Sequence, residues 1–137
     1  MNPPSPAPPS PDDPAPIATA EQFCDALLRV RDREGITPTD LGILRAFYHA
    51  PDNALTALKL AKAANLASWQ EANLRFGTLA RSVGEVLHFT PSTRPDGTLR
   101  WWQSLAHGAA DYEDETGHFP WTLRPELVRA LQTMKWV

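Results

Sequence analysis

The spacing of apolar side chains predicts five helices between Thr19 and the end of the chain. In each of them apolar residues recur every three or four positions, which places them on one helix face. The predicted buried faces are Phe23, Leu27 and Val30; Leu41, Leu44, Phe47 and Tyr48; Leu60, Ala61 and Ala64; Ala72, Phe76, Leu79, Ala80, Val83 and Leu87; and Leu127, Val128, Leu131 and Met134. Together these faces would form one core.

The predicted helices also carry chemical start and stop signals. A hydroxyl that can accept a backbone N–H and so cap the first turn stands at Thr19, Thr37, Thr56 and Ser68. Glu71, three positions after Ser68, can satisfy a second orphan N–H in a capping box. Gly35 suits the end of the first helix, and Pro125 suits the first position of the last helix.

After His88 the pattern changes from a helical to a strand-like period. Apolar and polar residues alternate over Leu99–Leu105, which predicts a strand with one half-buried face. Just before it, Arg94–Gly97 combines a proline with a preset φ and a glycine that tolerates positive φ, so a hairpin turn is expected. Phe119–Leu123 predicts a third strand, which Pro120 would place at a sheet edge.

The order of these elements predicts an α+β fold that is mainly α. A short helix over Thr56–Asn65, a tight turn, a longer helix over Ser68–Leu87 and a hairpin are typical of a winged helix-turn-helix. The hairpin would be its β-hairpin wing, and the helix from Pro125 would close the domain. The second helix of such a motif most often faces DNA.

The N-terminal segment differs in composition from the rest of the chain. Residues 3–16 hold eight of the fourteen prolines, mixed with Ser, Ala and Asp. Because proline lacks a backbone N–H and fixes φ, we predict a disordered proline-rich tail over residues 1–18 and a winged-helix domain over 19–137. A solubilising tail is favoured over a proline-rich ligand for another protein.

Charge and hydropathy limit the classes of partner. The formal net charge of −3 argues against a strong nucleic-acid binder. However, residues 37–104 hold seven basic and five acidic side chains, and the acidic run Asp111–Glu115 comes after them. This distribution permits DNA binding of modest, salt-sensitive affinity. One cysteine and the lack of a signal peptide or membrane-spanning run indicate a cytoplasmic protein with no membrane association.

Candidate DNA contacts lie on the predicted helix-turn-helix and wing. Gln and Asn pair bidentately with adenine, Arg pairs with guanine, and an outward Leu can cover a thymine methyl group. The base-contact candidates are Gln70, Asn73, Leu74 and Arg75. The phosphate-contact candidates are Lys59, Lys62, Arg81, Arg94 and Arg100. A solvated helix face is the alternative, favoured by Glu71 and Glu85 because both repel phosphate.

Catalysis finds little support in the sequence. The four histidines lack metal-ligand spacing, and there is no glycine-rich phosphate loop or G-x-S-x-G motif. Cys24 lies in a helical pattern and is expected to be a small buried residue, not a nucleophile. We therefore predict a protein that is not an enzyme and uses no metal or cofactor. For Trp101 and Trp102, core packing is favoured over stacking on a base.

Three stretches carry a resemblance to a known type of protein. They are Leu66–Leu79, Pro95–Gly97 with Trp101 and Trp102, and Phe119–Leu127. Because of these stretches, residues 37–137, which are about three quarters of the chain, resemble a small bacterial winged-helix module. Similar modules stand alone or precede HNH-type endonucleases in restriction and defence-associated proteins. The resemblance implies a regulator or recognition module for double-stranded DNA, with modified DNA among its ligands. It does not imply cleavage.

A protein-interaction module is the competing hypothesis. An adaptor or inhibitor could keep the winged-helix fold and abandon DNA. This hypothesis is favoured by the net charge, the acidic run Asp111–Glu115 and the proline-rich tail. It is also favoured by the five tryptophans, because tryptophan is a common interface anchor. The acidic run would then steer a basic protein partner. A homodimer is also kept open.

Overall fold

The computed structural model describes residues 15–108 and 118–137. Within these ranges the helices are α1 (Ala20–Arg33), α2 (Pro38–His49), α3 (Ala57–Ala63), α4 (Trp69–Val86) and α5 (Pro125–Met134). The strands are β1 (Ala54–Thr56), β2 (Ala106–His107) and β3 (Pro120–Leu123). Short 3-10 helices cover Pro51–Asn53 and Trp101–Ser104. The predicted α+β class, mainly α, is confirmed.

The predicted capping residues begin four of the helices. The hydroxyls of Thr19, Thr37, Thr56 and Ser68 each accept the backbone N–H three positions on. Complete capping boxes form at α1 and α2. At α4 the Glu71 carboxylate instead accepts the N–H of Ala67, 3.0 Å away, one residue before the cap. Local side-chain chemistry therefore fixes where these helices start.

The helix faces and the sheet meet in one core. The predicted buried residues of α1 and α4 are almost all buried, whereas α2 buries Ile43 in place of Leu41 and Tyr48, which are half-buried. Trp121 on β3 lies near the centre of the core, with its ring centroid 4.8 Å from that of Phe76. These aromatic contacts join α4 to the sheet.

The three strands form an antiparallel sheet in the order β1-β3-β2. The predicted edge position of the strand that contains Pro120 is therefore wrong, since β3 is the central strand. Pro120 is the first residue of β3 and lies opposite Thr56 of β1, while the pairing with β2 involves only Thr122 and Leu123. Because Pro120 is not paired with β2, its missing N–H removes no hydrogen bond between β3 and β2.

The segment after α4 contains the predicted turn but not the predicted strand. Arg94 donates its backbone N–H to the Thr98 carbonyl at 2.7 Å, and Gly97 has a φ of +90°. Pairing around this turn is limited, in the described residues, to a single bridge between Thr93 and Leu99.

The strand expected over Leu99–Leu105 is wrong, because Trp101–Ser104 forms a 3-10 helix that packs on α4. Trp102 and Leu105 are both buried and lie three positions apart, one turn of a 3-10 helix. Ser104 donates its hydroxyl to the Ala80 carbonyl of α4. Packing on α4 therefore determines the conformation of Trp101–Ser104, although the alternating pattern predicts a strand.

The ends of the described ranges limit two further predictions. Ile17 and Ala18 pack against the core, and residues 1–14 of the predicted tail lie outside the described residues. The acidic run Asp111–Glu115, in the connection between β2 and β3, also lies outside them. Among the described helices, none has the length and apolar character needed to cross a membrane.

Candidate nucleic-acid interface

The segment predicted to be a helix-turn-helix consists of α3, a short connection and α4. Asn65 takes a left-handed φ of +57°, and the Leu66 N–H donates to the Ala61 carbonyl at 2.8 Å, which reverses the chain. Leu60 and Ala61 of α3 are buried, and α3 packs against α4. The chain reversal and the packing on α3 therefore fix the orientation of the first turns of α4. One face of these turns remains exposed to solvent.

The four base-contact candidates all lie in the first two turns of α4 and are exposed. Leu74 is the most exposed large apolar side chain of the described residues, at 69%. The amides of Gln70 and Asn73 have no hydrogen-bond partner within the described part of the chain. These amides are available to a ligand.

Arg75 and Arg81 are each engaged with a glutamate on α4. Arg75 Nε lies 3.0 Å from Glu71 Oε1, and Arg81 Nε lies 2.6 Å from Glu85 Oε1. The hydrogen bond from the Ala67 N–H, and then Arg75, lower the pKa of Glu71 below its usual value. Ion pairs this exposed are weak, so another anion can compete with the two glutamates for Arg75 and Arg81.

Arg94 and Arg100 have structural roles that the sequence did not indicate. Arg94 Nη1 donates to the Leu99 carbonyl at 2.9 Å, and this hydrogen bond connects the two sides of the turn. Arg100 Nη1 donates to the Thr93 carbonyl at 2.9 Å and to the Ser92 hydroxyl at 3.1 Å. Both guanidinium groups therefore hold the segment after α4 in its shape.

Lys59 and Lys62 are exposed on α3, three positions apart. Residues at this spacing share one helix face, so both ammonium groups point to the same side of the motif. Neither side chain is ion-paired with another described residue. These two lysines are the cations of the predicted set that are most available to phosphate.

A groove of about 260 Å³ runs along one side of α4. It brings together four of the predicted contact residues, namely Asn73, Leu74, Arg81 and Arg94. Gln70, Arg75, Arg100, Lys59 and Lys62 lie outside its lining. The opposite wall contains Leu99, Trp101 and Trp102.

The two adjacent tryptophans have different environments. Trp102 is buried and packs on Phe119, with ring centroids 5.0 Å apart, so its predicted core packing is confirmed. Trp101 is half-buried, and the Arg81 guanidinium carbon lies 5.9 Å from its ring centroid. The exposed part of the Trp101 ring is the aromatic surface of this groove.

A second groove, of about 730 Å³, flanks the other side of α4. It lies between α4 and the α1–α2 connection, and three acids, Glu34, Asp40 and Glu71, contribute to its lining. Sequence reasoning missed this acidic flank because it depends on how α1 and α2 pack against α4. Arg75 is the cation among the lining residues of this groove, so this side of α4 is more acidic than the side of Arg81 and Arg94.

Over residues 15–108 and 118–137, no cluster of three or more His, Cys, Asp or Glu side chains could hold a metal ion. Burial lowers the pKa of Arg124, whose Nε donates to the Gln103 carbonyl at 2.8 Å. Arg124 thus fastens the end of β3 to the 3-10 helix.

Comparisons with known proteins provide no family for this chain. No family model, curated protein or solved structure matches it significantly. The winged-helix resemblance therefore stays a prediction.

Proposed function

We propose that this protein is a non-catalytic double-stranded DNA-binding protein with a winged helix-turn-helix fold. The proposed motif is α3 and α4, and the antiparallel pair β2–β3 takes the place of the wing that was expected at Arg94–Gly97. The observation that carries the proposal is the first two turns of α4, where Gln70, Asn73 and Leu74 are exposed. An α-helix with exposed amides at its start fits the major groove.

In the proposed complex, α4 reads base edges and α3 holds the backbone. Gln70 and Asn73 would pair with adenine, and Leu74 would contact the methyl group of thymine or of a methylated cytosine. Lys59 and Lys62 would contact phosphate. Affinity would be modest, because Glu71 and Glu85 compete with phosphate for Arg75 and Arg81. It would be salt-sensitive, because contacts to phosphate release counterions. This suits a regulator or the recognition module of a larger system.

Mobility shifts across a salt series, with unmodified and methylated duplexes, test the proposal. We expect Asn73→Ala to lose about 1–3 kcal/mol of binding free energy on its preferred duplex. We expect Lys59→Gln to weaken binding to all duplexes and to reduce the salt slope by about 1. Arg129→Gln, at an exposed position of α5, also removes one positive charge and is the control. No shift of the wild-type protein at low salt would reject DNA binding.

A protein-interaction adaptor or inhibitor is the second candidate. It is favoured by Leu74, which is 69% exposed beside an acidic flank, an arrangement that suits a partner with an apolar anchor and basic groups. A pull-down from nuclease-treated lysate tests it. A stoichiometric partner lost in Leu74→Ser, or in Asp114→Lys with Glu115→Lys, would favour the adaptor. Recovery of nuclease-sensitive material alone would eliminate it.

A further inference from the structure

A pocket of about 230 Å³ lies between the end of α1, the middle of α2 and the residues that follow α5. Its lining consists of Arg31, Ile36, Leu41, Arg45, Lys135 and Trp136. Three of these residues are cations, three are apolar, and none is acidic. The pocket shares no lining residue with either groove beside α4.

Arg45 is the most firmly positioned cation of this pocket. Its Nε donates to the Trp136 carbonyl at 2.9 Å, which holds the guanidinium group at the pocket. Within the described residues, its two terminal nitrogens have no acceptor and remain available. A guanidinium fixed in this way presents two parallel N–H groups, the arrangement that binds a carboxylate bidentately.

The other two cations are less constrained. Arg31 Nε pairs with Asp32 at 3.1 Å, but both side chains are more than half exposed, so this pair is weak. Lys135 directly follows α5, with a left-handed φ of +59°. Charges near helix C-termini offset the helix dipole, which accounts for Arg31 and Lys135. It does not account for Arg45, which lies inside α2.

We propose that this pocket binds a carboxylate attached to one small apolar group. The carboxylate would bind between Arg45 and Lys135, and the apolar group would pack on Ile36, Leu41 and Trp136. The pocket is smaller than the roughly 300–1,000 Å³ of sites for drug-sized ligands, so the ligand has to be small. An aromatic acid and the last residue of a peptide share this chemistry. The site is independent of the proposed DNA-binding face.

Nuclear magnetic resonance titration of the full chain tests this site. The probes are phenylacetate, for a free acid, and acetyl-Gly-Gly-Leu, for a peptide end. Each is compared with its neutral amide. We expect saturable shifts of the Trp136 indole N–H and the Arg45 Nε–H with at least one acid. We expect Arg45→Gln to raise the Kd about tenfold, which is about 1.4 kcal/mol, and Arg129→Gln to leave it unchanged.

Lys135→Asn provides a second, exposed variant if Arg45→Gln perturbs the fold, since Asn tolerates a left-handed φ. We expect it to weaken binding of the same acid while the other resonances stay in place. Binding of phenylacetate alone would identify a small-molecule site, and binding of the peptide alone a peptide-end site. Equal binding of the amides, unchanged binding in both variants, or no saturable shift would overturn the proposal.

Discussion

At the scale of single residues, one glycine allows the segment after α4 to dock. A Cβ at Gly84 would lie 2.9 Å from Cζ3 of Trp101 and 3.1 Å from Cβ of Ser104. Both neighbours belong to the 3-10 helix, and Ser104 is fully buried. Because Gly84 has no side chain, the 3-10 helix can pack closely on α4. This packing favours the 3-10 helix over the strand predicted for this segment.

We expect Gly84→Ala to lower the free energy of unfolding. Overpacking costs about 1–3 kcal/mol, which exceeds the roughly 1 kcal/mol that alanine gains in a helix. Gly77→Ala in the same helix is the matched control, because a Cβ there would meet nothing within 4 Å, so it should stabilise the protein. Denaturant unfolding of both variants measures this. Stabilisation by both substitutions would contradict the close packing of Trp101 on α4.

Cys24 is expected to react slowly with thiol reagents. Burial, and then the nearby charge of Glu21, raise the pKa of the Cys24 thiol above its ordinary value. A raised pKa leaves less thiolate, the reactive form, at neutral pH. Iodoacetamide should therefore modify native Cys24 more slowly than it modifies the unfolded chain, and the rate should keep rising above pH 9. A native rate equal to the unfolded rate would refute this.

At the scale of elements, local signals predict the helices well and the strands poorly. The caps at Thr19, Thr37, Thr56 and Ser68 depend on residues close in the chain, so the sequence alone locates the helix starts. The alternation over Leu99–Leu105 has the period of a strand, but contact with α4 favours a 3-10 helix that buries Trp102 and Leu105. The central place of β3 depends likewise on β1, far away in sequence.

The glutamates on α4 are expected to oppose DNA binding. Removing one of them should therefore strengthen DNA binding and change the free energy of unfolding little. Glu85→Gln releases Arg81 and removes a repulsive charge, so the salt slope should rise by about 1. Stability should change by less than about 0.5 kcal/mol, because the pair is exposed. Asp25→Asn on α1 breaks an equally exposed i,i+4 pair with Arg29 and is the control. Equal gains in DNA affinity from both substitutions would argue against a binding face on α4.

At the scale of the whole molecule, the two flanks of α4 differ in charge. One groove is lined by three acids and one cation, Glu34, Asp40, Glu71 and Arg75, whereas Arg81 and Arg94 line the other. The sequence identified the outward face of α4 because helical periodicity is local. It could not identify the acidic flank or the cationic pocket, because both join residues from distant parts of the chain.

The most direct test of DNA binding by α3 and α4 maps the surface that duplex DNA contacts. Backbone amide resonances of the full chain would be followed as unmodified and methylated duplexes are added at low salt. We expect salt-sensitive shifts concentrated at Gln70–Arg75 of α4 and around Lys59 and Lys62 of α3, with α5 unaffected. No shifts with any duplex, or shifts that avoid α3 and α4, would contradict the proposal that this is a DNA-binding helix-turn-helix.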